Sequence, residues 1–183
     1  MSESSDKALA KRILAGDREA CVELIRQLHA PIYRMLFHLC RDAHLAEDLT
    51  QESFLAAWTK IGGFQATSSL NTWLHKIAYR KFIDAHRRNS RTVVAQAASV
   101  DEARSQAPNP YESAIAEDES RRLYVALDRL GSAERDVVVL HYLQGLSYEE
   151  MADVLAQPSG TVKWRTREAL ENLRSILDAK SEP

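Results

Sequence analysis

Apolar residues recur every three to four positions along most of this chain, which is the spacing of amphipathic helices. In the first half, the pattern predicts helices over residues 6–15, 17–40 and 42–61. The apolar side of the first helix is predicted to contain Leu9, Ile13 and Leu14. Asp17 is expected to cap the second helix. Pro31 within that helix is expected to kink it or divide it in two, because proline lacks a backbone amide hydrogen.

The third predicted helix combines an apolar stripe with a dense group of acidic and amide side chains. The stripe consists of Leu45, Leu49, Phe54, Leu55 and Trp58. The acidic and amide group consists of Glu47, Asp48, Gln51 and Glu52. Most runs of charge are solvated helix faces. Carboxylates beside apolar side chains also suit docking onto a basic helical partner, and the pattern leaves both interpretations open.

A glycine pair at residues 62–63 is followed by a loop over residues 64–69 and by a long helix. Ser68 or Ser69 is expected to cap this helix. Its buried stripe is predicted to consist of Leu70, Trp73, Leu74, Ile77 and Ala78. Aromatic side chains in this region could either pack in the core or contact a ligand, and we assign Trp73 to the core.

The same helix carries a local excess of positive charge. Asp84 is set against six cations, namely Lys76, Arg80, Lys81, Arg87, Arg88 and Arg91. Four aromatic or polar residues accompany them, namely Phe64, Asn71, His75 and Tyr79. Because cations bind phosphates and aromatic or amide groups bind bases, this combination suits the binding of single-stranded DNA.

The helical period disappears from about Thr92 to Tyr111, in a segment rich in Ala, Ser and Gln that ends in Pro-Asn-Pro. Such a composition is typical of a linker. The sequence therefore predicts a first domain of residues 1–91, a linker over residues 92–112 and a second domain of residues 113–183. Helices are predicted in the second domain over residues 113–129 and 132–143.

Residues 145–177 carry the pattern of two helices joined by a tight turn. Ser147 and Glu150 form a capping-box sequence at the first helix. Pro158 cannot continue that helix, and Ser159 is expected to cap the second. The inward face of the second helix is predicted to contain Val162, Ala169, Leu173 and Ile176 or Leu177. The outward face is predicted to present Thr161, Lys163, Trp164, Arg165 and Arg167.

This arrangement is that of a helix-turn-helix, whose second helix can enter the major groove of DNA. An ordinary helical hairpin with a solvated basic face is the alternative. The net charge of −2 is not typical of a protein that binds DNA through an overall positive charge. DNA binding by the isolated chain is therefore expected to be weak, so that a further partner must hold it in place.

The composition favours an all-α fold, since 45% of the 183 residues are hydrophobic and there are only six Gly and five Pro. No apolar run is long enough to span a bilayer, and the N-terminus lacks the layout of a signal peptide. We therefore expect a cytoplasmic protein without membrane insertion.

Neither a catalytic site nor a cofactor is expected. Adjacent carboxylates such as Glu149 and Glu150 do not face each other across a cleft, and no nucleophile lies near a base. Candidate zinc ligands are His38, Cys40 and His44, with Cys21 and His29 upstream. The commoner outcome is that Cys40 is buried as a small hydrophobic side chain, and we expect no metal.

Two separated motifs resemble regions of one family. The first resembles region two of bacterial RNA polymerase sigma factors, with DAHLAEDLTQESFLAAW at residues 42–58, then Thr72–Leu74, Ile83–Asp84 and Arg87–Arg88. The second resembles region four, with LGSAERDVVVLHYLQGLSYEEMADVLAQPSGTVKWR starting at Leu130. The order of the motifs, the short N-terminus and the lack of a region three are similar to the extracytoplasmic-function (ECF) group. The resemblance implies two small helical domains joined by a flexible linker.

The resemblance also implies roles for particular residues. Core RNA polymerase would dock through its clamp coiled coil on the acidic and amide group, namely Glu47, Asp48, Gln51 and Glu52. The loop and helix from Phe64 to Arg88 would recognise and open the minus-ten element of promoter DNA, capturing a flipped base. The helix from Ser159 would read the minus-thirty-five element beside the polymerase flap. An anti-sigma factor is a further implied partner.

Some residues depart from the family pattern. Leu70 and Asn71 stand where members often have Phe and Arg. In the last helix, Trp164 replaces a small polar residue, Thr166 an aliphatic residue and Glu168 an arginine. These departures affect the promoter sequence that the chain would recognise rather than its fold.

Three alternatives stay open at this point. A stand-alone helix-turn-helix regulator of the LuxR type would have a similar second half, but it would leave the acidic group and the basic stripe of the first half unexplained. A helical protein-interaction module would use its charges only for solubility. A metal-binding protein would use the histidines and cysteines named above.

Overall fold

Within each of its two described ranges, the chain folds into helices joined by short turns. The structure, a computed structural model, describes residues 3–95 and 118–179, and these ranges contain no β-strand. None of the helices in them is both long and apolar enough to cross a membrane. The chain forms two compact units, Met1–Ser105 and Gln106–Pro183. The predicted all-α fold class is confirmed.

Residues 3–95 of the first unit form four helices and one turn of 3-10 helix. These are α1 (Glu3–Leu14), α2 (Arg18–Cys40), α3 (Ala43–Lys60), the 3-10 turn (Ile61–Gly63) and α4 (Leu70–Ala95). Helices α2, α3 and α4 pack against one another, and α1 lies on α2 and on the 3-10 turn. The centre of the unit is formed by buried side chains that include Ile32, Met35, Leu36, Leu49, Leu70 and Leu74. Helix α4 continues to Ala95, into the predicted linker, and the rest of that linker lies outside the described residues.

Aspartate caps start two of these helices, as short-range sequence signals predict. The Asp17 carboxylate accepts hydrogen bonds from the backbone amides of Glu19 and Ala20. The Asp42 carboxylate accepts in the same way from His44 and Leu45, immediately after Arg41 ends α2 in a left-handed conformation. Arg41 and the Asp42 cap together place the chain reversal between α2 and α3.

Pro31 does not divide α2, which runs as one helix from Arg18 to Cys40. Of the two predicted effects, a kink or a division, the division is therefore wrong. A proline costs a helix one backbone hydrogen bond. Here Leu28 and Ile32, on either side of Pro31, are both buried, so packing against α3 and α4 stabilises the continuous helix.

Three apolar side chains that the helical pattern assigns to the interior are exposed. Leu14 is 64% exposed, Leu55 69% and Trp58 46%. Leu9, Ile13, Leu49 and Phe54 are buried as expected, and Leu45 is half-buried. The reason is geometric, because the apolar stripes of α1 and α3 are wider than the surfaces that neighbouring helices cover.

The start of α4 is held by two side chains. The Ser69 hydroxyl accepts a hydrogen bond of 3.0 Å from the Thr72 amide, so Ser69 provides the cap. The Asp6 carboxylate of α1 accepts a hydrogen bond of 2.9 Å from the Leu70 amide. The N-terminal helix therefore supplies an additional cap to a helix that begins 64 residues later.

In the second unit, residues 118–179 form four further helices and a π-helical turn. These are α5 (Asp118–Leu127), α6 (Ser132–Val138), the π-helical turn (Val139–Leu143), α7 (Tyr148–Leu155) and α8 (Ser159–Asp178). Helix α8 packs against α5, α6 and α7. The core includes Val137, Val139, Leu140, Leu146, Met151 and Val162. Residues 113–117 of the predicted first helix lie outside the described residues. The helix predicted over residues 132–143 consists of α6 followed directly by the π-helical turn.

Candidate polymerase- and DNA-binding surfaces

One face of α3 is exposed and combines carboxylates with large apolar side chains. We call it the α3 surface and define it by Glu47, Asp48, Gln51, Leu55 and Trp58. Asp48, Gln51, Leu55 and Trp58 follow one another at spacings of three and four, which places them on one side of a helix. Glu47, which is half-buried, lies four positions before Gln51 at the edge of this side. The Gln51 amide donates to the Glu47 carboxylate at 3.3 Å. The opposite side of α3, with Leu49 and Phe54, is buried in the core.

Glu52, predicted as part of the same acidic group, has a partner inside its own unit. Its carboxylate lies 3.0 Å from the ammonium nitrogen of Lys81 on α4. Both side chains are partly exposed, so this ion pair contributes at most about 1 kcal/mol to stability. It nevertheless ties one acidic residue of α3 to one cation of α4.

The predicted DNA-binding residues of α4 fall into exposed and half-buried groups. Arg80, Arg87 and Arg88 are exposed, whereas Lys76 and Tyr79 are half-buried. Tyr79 contacts Phe82, with ring centroids 6.0 Å apart. The cations therefore follow the outer side of α4 along much of its described length.

The loop before α4 packs against the helix. The half-buried Phe64 ring contacts the half-buried Trp73 ring, with centroids 5.5 Å apart. Ala66, in the same loop, is buried with a positive φ of 56°. The structure assigns Trp73 to the boundary between the core and the loop, where the sequence predicted full burial.

His75 was predicted to face DNA, but the structure places it in the core. It is 1% exposed, and its Nδ1 atom lies 2.8 Å from the Asn71 carbonyl oxygen. A side chain at this depth cannot reach a nucleic acid while the unit is folded. Asn71 itself is half-buried at the N-terminal end of α4.

The predicted helix-turn-helix consists of α7, a short turn and α8. Its capping box is present, since the Ser147 hydroxyl accepts from the Glu150 amide at 3.2 Å and the Glu150 carboxylate accepts from the Ser147 amide at 2.9 Å. Ala156 ends α7 in a left-handed conformation with φ 52°.

The N-cap of α8 is Pro158, not Ser159 as predicted. Pro158 has φ −60° and ψ 140°, and Ser159 is the first helical residue. Proline already has the φ value that a helix start requires, and it has no amide hydrogen that would need an acceptor. The helix therefore starts here without a side-chain cap.

The outward face of α8 is largely as predicted. Thr161, Lys163, Trp164 and Arg167 are exposed, and Arg165 is half-buried. The buried face consists of Val162, Thr166, Ala169 and Leu173. The Thr166 hydroxyl donates to the Val162 carbonyl at 2.8 Å, which satisfies this polar group inside the core.

The cations of α8 are engaged by partners in the second unit. The Lys163 ammonium lies 3.5 Å from the Glu149 carboxylate and 5.7 Å from the centre of the Tyr148 ring. The Arg165 guanidinium donates to the Gln157 amide oxygen at 2.7 Å. Arg167 donates to Glu171 at 3.1 Å.

Sequence reasoning did not identify Glu149 and Gln157 as members of this surface. Both lie in the first helix or the turn, many residues before the cations that they contact. The charge complementarity of Glu149 and Lys163 was visible in the sequence, but their separation by 14 residues hid the contact.

The candidate zinc ligands do not converge. Among residues 3–95 and 118–179, no group of three or more His, Cys, Asp or Glu side chains is arranged to hold a metal ion. Burial raises the pKa of the Cys40 thiol to about 12, which disfavours the thiolate that metals bind. Cys40 therefore has the properties of a small hydrophobic side chain.

Comparisons with known families match both halves of the chain. The family model described as Sigma-70 region 2 matches residues 24–92, and the model described as Sigma-70, region 4 matches residues 126–175. The protein named ECF RNA polymerase sigma factor SigK of Mycobacterium ulcerans (strain Agy99) is 35% identical over 180 residues, which cover 94% of this chain and 93% of that protein. The SigK of Mycobacterium tuberculosis (strain ATCC 25618 / H37Rv) is 35% identical, covering 96% and 95%.

Two solved structures have a similar fold. The sigma factor RpoE, in complex with the anti-sigma factor NepR from Bartonella quintana, superposes with a TM-score of 0.74 and 25% identity, covering 88% of this chain and 97% of that chain. CnrH, in complex with the cytosolic domain of CnrY, superposes with a TM-score of 0.71 and 24% identity, covering 96% and 99%. The second similarity concerns the fold alone.

Proposed function

This chain belongs to the ECF group of sigma-70 RNA polymerase sigma factors, and from this premise we propose how its two helical units divide the tasks of that family. It is a transcription initiation factor that binds core RNA polymerase, directs it to specific promoters and helps to open the minus-ten element. It is not an enzyme by itself. We propose that region two spans residues 1–91, the linker 92–112 and region four 113–183, and that the protein acts in the cytoplasm.

Core polymerase, we propose, docks on the α3 surface through its clamp coiled coil. The observation that carries this assignment is that Leu55 and Trp58 are exposed beside Asp48 on the same helix face. Large apolar side chains of this kind are unfavourable in water and mark interaction sites. Neighbouring carboxylates supply complementarity to a basic partner. Glu52 would contribute less than Glu47 and Asp48, because it is paired with Lys81.

The minus-ten element is assigned to the loop before α4 and to the outer side of α4. Arg80, Arg87 and Arg88 would contact phosphates of the opened strand. Phe64, Asn71, Lys76 and Tyr79 would surround an extruded base near the helix start. Unstacking a base costs a few kcal/mol, which pocket contacts must offset. His75 is assigned a supporting role through its contact with the Asn71 carbonyl rather than a contact with DNA.

The minus-thirty-five element is assigned to the exposed face of α8. The helix-turn-helix geometry brings residues in the first half of the second helix to the floor of a major groove. Ser159 and Thr161 lie in the first turn, followed by Lys163, Trp164, Arg165 and Arg167. Their partners Glu149, Gln157 and Glu171 keep the cations ordered before DNA binds, and phosphates would replace or join these partners.

Tethering explains how a chain with net charge −2 can be selective for promoters. Each DNA-binding surface carries few cations and would bind weakly alone. When core polymerase holds region two at its clamp and region four at its flap, each surface meets DNA at a high effective concentration. Selectivity then arises in the holoenzyme.

An anti-sigma factor is the proposed regulator. Both similar solved structures are complexes, RpoE with the anti-sigma factor NepR and CnrH with the cytosolic domain of CnrY. For this chain, we propose that such a partner covers the polymerase-facing surfaces, the exposed apolar residues of α3 included. Competition between it and core polymerase would then set the activity.

A reconstituted transcription assay on genomic fragments tests these assignments. The double charge reversal Glu47→Lys with Asp48→Lys is expected to weaken core polymerase binding at every promoter. Lys163→Ala or Arg165→Ala should leave core binding unchanged and reduce the use of the minus-thirty-five element roughly tenfold. Run-off transcripts and core-binding titrations measure the two effects separately.

The opposite pattern would overturn the proposal. If the two sets of variants lost activity equally and at all promoters, the division between α3 and α8 would be wrong. If core polymerase did not bind the chain, and the chain alone bound palindromic DNA tightly as a dimer, the stand-alone regulator would be the better assignment.

A further inference from the structure

Trp164 is an exposed aromatic residue at the centre of the outward face of α8. Its side chain is 60% exposed, although tryptophan is usually well buried. Val162 and Thr166, two positions before and two after it, are both buried. At roughly 100° per residue, a side chain two positions away lies on the far side of the helix. Trp164 therefore points directly away from the core of its own unit.

Gly160 lies one turn before Trp164 on the same face. A Cβ atom added at Gly160 would meet nothing within 4 Å, so packing inside the unit does not require a glycine there. Side chains on a helix lean toward its N-terminus, so the indole of Trp164 leans over the position that Gly160 leaves bare. The bare backbone lets another molecule approach the indole closely.

Cations stand on the two flanks of this face. Lys163 and Arg165, one position before and one after Trp164, lie roughly 100° to either side of it. Each is held by its own partner, Glu149 and Gln157 respectively. When a helix lies in a major groove, its flanks face the two phosphate backbones and its centre faces the base edges. Lys163 and Arg165 therefore match the phosphates at the two sides of a groove, and Trp164 matches an apolar group at its floor.

We propose that Trp164 is a specificity-determining residue that contacts the C5-methyl group of a thymine in the minus-thirty-five element. This inference rests on the proposed function of α8. The methyl group of thymine is the apolar feature that a base presents in the major groove, and apolar side chains recognise it by contact. Lys163 and Arg165 orient the helix by binding phosphates, and Gly160 leaves the space into which the base edge fits.

The choice of an apolar contact over a hydrogen bond follows from the surroundings. The indole has a single donor, its Nε1–H, and no acceptor. The ring itself presents a much larger apolar area, which is unfavourably hydrated in the free protein. Covering that area with a methyl group removes both apolar surfaces from water. The proposed contact therefore uses the exposed ring, whereas a lone hydrogen bond would leave it in solvent.

The first experiment identifies the thymine. Holoenzyme is assembled from core RNA polymerase and the full chain, and it selects bound sequences from a duplex library randomised over the minus-thirty-five element. Each thymine of the selected element is then replaced by deoxyuridine, which removes only the methyl group. We expect one replacement to weaken binding about four- to tenfold, the effect of losing one buried methyl contact. A selected element without a methyl-sensitive thymine overturns the proposal.

The second experiment connects that thymine to Trp164. Holoenzyme with the Trp164→Ala variant should bind the thymine duplex more weakly than the wild type does, by a similar factor. On the deoxyuridine duplex, the variant and the wild type should bind equally tightly. Trp164→Phe retains an apolar ring without the N–H donor, so it should retain the methyl dependence. Tyr142→Ala is the matched control, since it removes an aromatic side chain that is 53% exposed in the same unit but outside α8. It should behave like the wild type.

Two results would contradict the assignment of Trp164. One is methyl sensitivity that survives in Trp164→Ala, which would place the contact on another residue. The other is a Trp164→Phe variant that loses the methyl dependence as fully as Trp164→Ala, which would show that an apolar ring at this position does not recognise the methyl group.

Failure here can be distinguished from failure of the proposed function. If holoenzyme initiates normally and Arg165→Ala weakens use of the upstream element, α8 still reads that element, and the absence of a methyl-sensitive thymine overturns only the role of Trp164. If the chain does not bind core polymerase, no holoenzyme forms and both proposals fail together.

Discussion

Asp6 links two parts of the first unit that are far apart in sequence. It is 1% exposed, and one carboxylate oxygen accepts a hydrogen bond from the Leu70 amide. The other oxygen, Oδ1, is buried without a hydrogen-bond partner in the part of the chain that the structure describes. A negative charge at a helix N-terminus is stabilised by the helix dipole. Asp6 thus fixes α1 against the start of α4, next to the loop assigned to the minus-ten element.

Replacement of Asp6 tests this link. Asp6→Ala is expected to lower the free energy of unfolding of the first unit by about 1–3 kcal/mol, because the buried Leu70 amide loses its acceptor. Asp6→Asn keeps an acceptor oxygen and should lose less. Urea denaturation and the hydrogen-exchange rate of the Leu70 amide measure the effect. Ser5→Ala, at the exposed neighbouring position, is the control, and an Asp6→Ala variant as stable as this control would rule the link out.

At the scale of the element, α3 serves two functions with two faces. Leu49 and Phe54 face the core between α2 and α4, whereas Leu55 and Trp58 face solvent beside Asp48. Because its outer face does not hold the unit together, substitutions there should change binding without changing stability. Helix α8 is organised in the same way, with Val162 inside and Trp164 outside.

The apolar part of the α3 surface is expected to carry much of the polymerase affinity. The double variant Leu55→Ser with Trp58→Ala should weaken core polymerase binding by at least roughly 30-fold, since exposed aromatic anchors dominate interface energies. Its thermal unfolding should match that of the wild type. Leu14→Ser is the matched control, because Leu14 is a similarly exposed leucine of the same unit on α1. Equal loss of affinity in the control would show that polymerase binding does not depend on the α3 surface.

At the scale of the whole molecule, the two units are separate compact bodies along the chain, with different surface chemistry. The first presents an acidic and apolar surface on α3 and a basic side on α4, and the second presents the cations of α8 around Trp164. The whole chain has a net charge of −2, whereas tight DNA binding by an isolated protein requires an excess of positive charge. Selectivity is therefore expected from both units acting together on one polymerase.

The isolated chain should bind promoter duplex only weakly. We expect dissociation constants of about 10⁻⁴ to 10⁻⁶ M at physiological salt, the range of non-specific binding. Holoenzyme should bind the same duplex at least about a thousandfold more tightly. Fluorescence anisotropy at matched salt concentrations compares the two. Nanomolar, sequence-specific binding by the chain alone would refute the tethering argument.

The features that the sequence alone predicts are local. The predicted start signals at Asp17 and Ser147 lie within one turn, because each side chain accepts from amides two or three residues ahead. The helical period established the all-α fold class and the helix-turn-helix. The start of α8 was missed by one residue, because two neighbouring residues, Pro158 and Ser159, both suit a helix start.

Burial and long-range pairing were decided by the tertiary structure alone. The helical period alone does not predict that Leu55 on α3 faces solvent and that His75 on α4 faces the core. The burial of these side chains depends on how much of each helix is covered by neighbouring helices. The contacts of Asp6 with Leu70 and of Lys163 with Glu149 join residues on different helices. A helix period specifies which residues share a face, but only packing determines which faces meet, and that determines which side chains remain available to bind a partner.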